Sequence, residues 1–190
     1  MMEKQRQALR KAKIQAREGL CINERKIQSQ QIAERILASK EFQEAETIMI
    51  YRGIRGEVRL DWLETAKESE GKQFLFPLCL PERQMAALAP KGDDAWTPGA
   101  YGIMEPVPAK SILVEPEDID LIICPCTVFD EGCNRMGMGG GYYDRYLSKC
   151  KNAVVAAVAF EIQKAETVPM ESWDKAVDLV FTEKKTYRKK

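Results

Sequence analysis

Between Val128 and Leu147 the chain reads V-F-D-E-G-C-N-R-M-G-M-G-G-G-Y-Y-D-R-Y-L, and Gly132, Gly137, Gly139, Gly140 and Gly141 make it the densest glycine cluster in the sequence. An apolar run, I-D-L-I-I-C-P, ends just before it at Pro125, and Tyr143, Tyr146, Leu147 and Cys150 follow at helical spacing. The order is strand, glycine-rich turn, helix. A helix N-terminus offers free N–H groups and a partial positive charge, so it attracts anions. Glycines let a backbone approach a phosphate closely and take positive φ without steric cost. Arg135 would add a planar, bidentate charge. Asp144 would give Mg²⁺ a single carboxylate, leaving the other positions to water and phosphate. Two better-known templates fail. Gly132 and Gly137 have Walker A spacing, but Met138-Gly139 stands where Lys-Ser/Thr is required. Gly137 and Gly139 start a dinucleotide fingerprint whose third glycine is Tyr142. A purely structural glycine turn is the alternative; three consecutive glycines at a helix start, beside Arg135 and Asp144, favour phosphate.

The sequence contains no histidine. That excludes Ser-His-Asp and Cys-His catalysis in their usual forms, H-E-x-x-H metal sites and histidine as general base. Chemistry must rest on Lys, Arg, Asp, Glu, Tyr, Cys, backbone N–H groups or a hard metal ion. The 29 basic and 29 acidic residues cancel, which argues against nucleic acid or a membrane surface as partner. No apolar run approaches the roughly 20 residues of a membrane span, and the charged N-terminus does not read as a secretory signal. The six cysteines form no C-x-x-C pair, so free thiols and a cytoplasmic setting are expected. At 190 residues and 21.6 kDa the expectation is one domain, residues 1–190.

The elements that must position the glycine turn alternate along the chain. Residues 3–18 read as a basic surface helix with a thin stripe of Ala8, Leu9, Ala12 and Ala16, ended by Gly19. Arg6, Arg10 and Arg17 either do nothing specific there or turn one basic face toward a phosphate; composition favours the former. Asn23 is the expected cap of a second helix running to about Ser39, with Ile27, Ile32, Ile36 and Leu37 toward the core. Strands are expected at Thr47–Tyr51, Gln73–Pro77, Ile119–Cys124, Ala153–Phe160 and Val177–Thr182. Asp61–Glu70 reads as a short helix. The loop after the first strand, R-G-I-R-G-E, carries Glu57, which is either a site residue or a helix N-terminal charge. Pro81–Tyr101 is irregular, apart from a candidate strand at Met85–Leu88, and Gly102–Pro106 reads as a turn. Trp96, Tyr101 and Met104 are candidates for stacking on a flat ligand. The tail from Lys184 to Lys190 is expected to fray. The fold class is α/β: a single-domain, mainly parallel sheet flanked by helices, a Rossmann-like three-layer sandwich.

The glycine stretch F-D-E-G-C-N-R-M-G-M-G-G-G-Y-Y-D resembles the signature of the 5-formyltetrahydrofolate cyclo-ligase (5,10-methenyltetrahydrofolate synthetase) family, which runs roughly F-D-x-x-G-x-R-L-G-x-G-x-G-Y-Y-D. Leu9-Arg10 in the basic helix, I-Y-x-x-x-x-G-E-V at Ile50–Val58, G-I-x-E-P at Gly102–Pro106, Gln163, and V-D-x-x-x-T-E at Val177–Glu183 agree in order. The resemblance implies an enzyme that uses ATP and Mg²⁺ to close 5-formyltetrahydrofolate into 5,10-methenyltetrahydrofolate, with release of ADP and phosphate. ATP would phosphorylate the formyl oxygen, the folate N10 would attack, and phosphate would leave. On this resemblance Arg135 and Tyr143 are the expected catalytic residues. Arg6, Arg10, Arg135, Gly137, Met138, Gly139, Gly140, Gly141, Tyr142 and Tyr143 are expected around the nucleotide. Glu57, Met104, Glu105 and Tyr142 are expected around the folate, and Asp144 with Asp178 around Mg²⁺. The family's Asp-Thr after Glu-Val is Arg59-Leu60 here, and its His-Asp before the last strand is Trp173-Asp174. A monomeric enzyme is expected; a non-catalytic folate- or nucleotide-binding paralogue is the alternative, and a metal-independent sugar-phosphate isomerase or acyl-transfer protein on a similar scaffold is a third.

Overall fold

The computed structural model of the chain describes residues 2–99 and 102–190. The chain opens with helix α1 (Met2–Glu18), α2 (Ile22–Leu37) and the single turn α3 (Lys40–Glu44). Gly19 ends α1, its N–H donating to the Gln15 carbonyl at 2.9 Å. Cys21, not Asn23, caps α2: the Glu24 N–H donates to Cys21 Sγ at 3.4 Å, and the Glu24 carboxylate accepts from the Cys21 N–H at 2.8 Å. This is a capping box built with a thiol. The inward face of α2 is Ser29, Ile32, Ala33 and Ile36, while Ile27, expected in the core, is 58% exposed.

Strands β1 (Thr47–Met49), β2 (Gln73–Leu80) and β3 (Gln84–Pro90) follow, with α4 (Asp61–Thr65) between the first two. Short β4 (Trp96–Pro98) and β5 (Met104–Pro106) pair with each other, and β6 (Ser111–Val114) returns to the main sheet. Then come β7 (Leu121–Pro125), the hairpin β8 (Val128–Phe129) and β9 (Arg135–Met136), α5 (Tyr142–Leu147), β10 (Val154–Val158), β11 (Leu179–Phe181) and β12 (Thr186–Arg188).

The main sheet has eight strands in the order β12-β11-β10-β7-β1-β2-β3-β6. The run from β11 to β2 is parallel, and the edges β12, β3 and β6 are antiparallel. Alternation along each central strand divides the core into two layers. Ile48, Ile123, Val158 and Phe181 face α2 and α3; Met49, Ile122, Ala157 and Val180 face Tyr146 and Leu147 of α5. The fold is thus the expected three-layer α/β sandwich.

Three edges differ from expectation. The tail does not fray: β12 pairs with β11, Tyr187 is buried, and the Arg188 guanidinium holds Glu41. The stretch 84–90 is a full strand with β6 paired beyond it, and Met104–Pro106, expected within a turn, is the strand β5. In α1 the alanine stripe is not the buried face; Arg6, Ile14 and Arg17 are.

Candidate functional site

A cleft of about 1320 Å³ opens beyond the carboxyl ends of β1, β2 and β7, where ligands bind in open α/β sheets. It exceeds the ~300–1,000 Å³ common for a single small-molecule pocket. Its walls come from α1, the loop after β1, the end of β2, β5, the glycine loop with α5, and residues 171–175.

The glycine loop forms one end. Asp130 anchors its root: the carboxylate accepts from the N–H groups of Gly132, Asn134 and Val168 and from Asn134 Nδ2. This staple fixes the β8–β9 hairpin and aims Arg135 inward from β9. Arg135 is buried; its Nη2 donates to Asp144 Oδ1 at 3.0 Å, and its guanidinium lies 5.9 Å from the Tyr143 ring centre. Gly139 (φ +101°) and Gly141 (φ +70°) turn the backbone into α5, conformations that L-side chains rarely adopt. From α1, Arg10 Nε donates to the Gly137 carbonyl at 3.0 Å, so the helix holds the loop from outside. Arg135 Nε and the Tyr143 hydroxyl are buried at this end without a hydrogen-bond partner among the described residues. Burial pushes the Tyr143 phenol well above its ordinary value, so it stays neutral and can donate. Two orphaned buried donors beside a glycine turn suit an anion with several acceptor oxygens.

The other end is lined by Tyr51, Glu57, Phe76, Met104 and Glu105, with Tyr142 from the glycine side. Glu57 is buried, and its Oε2 accepts from the Ile54 N–H at 3.0 Å. Burial raises its carboxyl above the ordinary value; the Ile54 N–H, Arg17 and Arg55 oppose this. It is a cleft residue, not a helix N-terminal charge: α4 begins only at Asp61. Met104 is exposed at the rim. Trp96 does not line the cleft but packs edge-on against Phe76, with centroids 4.8 Å apart, and Arg52 lies 4.4 Å from the Phe76 centroid. Tyr101 lies outside the described residues.

The N-terminal arginines divide. Arg6 and Arg10 both reach the cleft. Arg6 is already engaged, its Nη1 donating to Asp174 Oδ2 at 2.5 Å and also to the Pro169 carbonyl. Arg17 turns inward to Glu57 instead of joining a phosphate face. Asp178 is placed against expectation. It is exposed at the amino end of β11, its carboxylate accepting from the Val155 N–H at 2.8 Å, and it does not line the cleft. Level with Val155, it is opposite Ile122, three residues before the end of β7, or about 10 Å along the sheet. The V-D-x-x-x-T-E pattern placed it in a motif, but the strand direction carries it to the wrong end. Among the described residues no three His, Cys, Asp or Glu side chains converge as a metal cage. Asp144 alone fits Mg²⁺ that arrives on nucleotide phosphates, which needs only one or two protein carboxylates. The sequence reading missed Arg52, Arg55, Phe76, Arg83, Arg145 and Lys175 in the cleft wall. The two arginines of R-G-I-R-G-E sat beside Glu57 and Arg145 followed Asp144 in the glycine stretch, so these were legible; Phe76, Arg83 and Lys175 reach the cleft only through tertiary contacts.

By class, this is an open, mainly parallel α/β sheet with a glycine-rich turn and a cleft beyond the carboxyl ends of its strands. Comparison with known proteins narrows this. The 5-formyltetrahydrofolate cyclo-ligase family matches residues 2–183. The 5-formyltetrahydrofolate cyclo-ligase of Haemophilus influenzae is 26% identical over 92% of this chain and 95% of its own. The enzyme of that name from Mus musculus is 27% identical over 87% of each chain. The solved structure of Aquifex aeolicus 5,10-methenyltetrahydrofolate synthetase superposes with a TM-score of 0.85 at 32% identity, covering 96% of this chain and 92% of that one. The chain belongs to the 5-formyltetrahydrofolate cyclo-ligase family, a family of folate-metabolising ligases.

Proposed function

We propose that residues 1–190 form one cyclo-ligase domain that closes 5-formyltetrahydrofolate to 5,10-methenyltetrahydrofolate, consuming ATP with Mg²⁺ and releasing ADP and phosphate. The observation that carries this is the pair of buried, unpartnered donors, Arg135 Nε and Tyr143 Oη, at the glycine loop, in one cleft with the buried carboxylate of Glu57. One end suits phosphate oxygens. The other suits the amino and ring N–H donors of a pterin, which a carboxylate accepts side by side.

In this reading the formyl oxygen attacks the γ-phosphorus, the bond to the β-phosphate bridging oxygen breaks, and ADP leaves. The folate N10 then attacks the activated formyl carbon, that carbon's bond to the phosphorylated oxygen breaks, and inorganic phosphate carries away the oxygen and takes up the proton that N10 loses. The protein does little covalent chemistry; it positions and neutralises charge. Arg135 spreads positive charge over the transferring group. Tyr143 donates from a dry environment, and Gly137–Gly141 with Met138 and Tyr142 bring backbone N–H groups close. Arg10 braces that loop. Asp144 contributes a carboxylate to Mg²⁺, which supplies charge neutralisation at the phosphates. Met104, Glu105 and Tyr142 flank the folate ring that Glu57 holds. Arg6 serves the nucleotide end once it exchanges Asp174 for phosphate. A cytosolic monomer accompanies the reading.

The test is an assay of purified protein with 5-formyltetrahydrofolate, ATP and Mg²⁺, following absorbance of the methenyl product. Product that requires both ATP and Mg²⁺ supports the reading. Absence of product, with both ligands still bound, would sink it in favour of a silent binding paralogue.

A further inference from the structure

The fully buried cation Arg17 has no part in the chemistry described so far. It projects from the last turn of α1 with 0% exposure. Its Nε donates to the Arg55 carbonyl at 3.2 Å and its Nη1 to the Cys126 carbonyl at 3.5 Å. Nη1 also stands 3.7 Å from Glu57 Oε1, and Nη2 has no hydrogen-bond partner among the described residues. One guanidinium thus touches the loop after β1, the segment after β7 and the carboxylate at the pterin end of the cleft. A buried arginine costs several kcal/mol to desolvate, so a surface helix rarely carries one without a task. Here the counter-charge is the residue read as the folate ligand. The same helix carries Arg6 and Arg10 at the opposite end of the cleft.

We propose that Arg17 is a positioning residue for folate binding: it fixes the carboxylate of Glu57 in its ionised, inward orientation and makes the seating of α1 a condition of folate affinity. This rests on the reading of Glu57 as the pterin ligand. The groups facing Glu57 are Arg17 from α1, Arg55 and Tyr51 from the chain around β1, and Tyr143 from α5. Burial holds both phenols neutral. Arg55 is half exposed and its Nε is held by Glu18 at 3.0 Å. Arg17 is therefore the only buried cation among them. Without it, burial drives the Glu57 carboxyl further up, and the neutral acid no longer accepts two donors at once.

The experiment measures the dissociation constant for 5-formyltetrahydrofolate, without ATP, from pH 5.5 to 9 in the wild type, R17Q, R17K and E57Q, with ATP binding measured alongside. R17Q is expected to weaken folate binding about tenfold or more near pH 6. The deficit should shrink as pH rises, because the carboxylate is recovered. R17K, which keeps the charge but loses the fork, should lose several-fold with a smaller pH displacement and leave ATP binding within twofold. Should R17Q not fold, R17K carries the test alone. Folate affinity unchanged in R17K at every pH overturns the proposal, as does equal loss of folate and ATP binding in both variants, which marks a scaffold role. The parent reading fails separately: E57Q that binds folate like the wild type removes Glu57 as ligand whatever Arg17 does.

Discussion

Gly139 offers a quantitative test of the phosphate cradle. Its φ of +101° lies beyond even the left-handed region open to Asn or Asp, and an added Cβ would meet Arg10 Cζ at 3.5 Å, an ordinary contact. Gly139→Ala therefore introduces backbone strain without a steric clash, worth about 1–3 kcal/mol. The strain must appear somewhere. If the loop keeps its shape, the fold bears the strain, and Tm falls by roughly 2–4 °C per kcal/mol for a chain of this size. If the loop relaxes, the nucleotide must restore its shape on binding, and the ATP dissociation constant rises about 5- to 150-fold, since 1.4 kcal/mol is tenfold. Gly137→Ala is the matched control: Gly137 is not at positive φ, and its Cβ would lie 3.6 Å from Arg135 Nη1. Calorimetric unfolding and ATP titration of both variants provide the assay. A Gly139→Ala protein with wild-type Tm and ATP affinity within twofold refutes the claim that this backbone shape is required for phosphate.

Further outcomes follow from the same geometry. Asp144→Asn keeps an oxygen for Arg135 but removes the counter-charge of a buried guanidinium; about 1–3 kcal/mol of stability should be lost, with activity falling at least about 100-fold and no longer rescued by excess Mg²⁺ in steady-state assays. Because burial holds the Glu57 carboxyl above its ordinary 4.5, folate affinity should be full at high pH and lost as pH falls through that raised value; a pH profile of kcat/KM for folate should show the acid limb, and Glu57→Gln should erase it. Of the six cysteines, Cys21 and Cys79 are exposed while Cys124, Cys126, Cys133 and Cys150 are buried, the Cys126 thiol being pushed up to about 12. Cys21 and Cys79 should be the thiols that react with a disulfide reagent near pH 8, Cys79 the more slowly because burial and the neighbouring Glu105 push its thiol up, and 5-formyltetrahydrofolate should protect only Cys79, which lines the cleft.

The central strands were legible because burial on both faces leaves continuous apolar runs: β1, β10 and β11 each sit inside an expected segment, and β7 overruns its own by one residue, Pro125. The edges were not. Tyr187 is a lone aromatic among lysines, and only β11 beside it makes 186–188 a strand. Ser111–Val114, S-I-L-V, is too short and does not alternate, so it does not announce pairing with β3. The glycine loop was local and therefore readable, but the Arg135–Asp144 ion pair was not, because Arg135 was read toward phosphate and Asp144 toward Mg²⁺. The face of α1 was misjudged because apolar residues were sought, whereas the helix buries Arg6 against Asp174 and Arg17 against Glu57, contacts spanning 168 and 40 positions. Asp178 failed for a related reason: a motif fixes neighbours along the chain, but which end of a strand they occupy depends on sheet direction.

The most direct test of the chemistry is the fate of the formyl oxygen. 5-Formyltetrahydrofolate labelled with ¹⁸O in the formyl group, turned over with unlabelled ATP and Mg²⁺ in unlabelled water, should yield one labelled oxygen per inorganic phosphate by mass spectrometry. Unlabelled phosphate, with the label lost to water, would contradict phosphorylation of the formyl oxygen and with it the role assigned to the Arg135–Tyr143 end of the cleft.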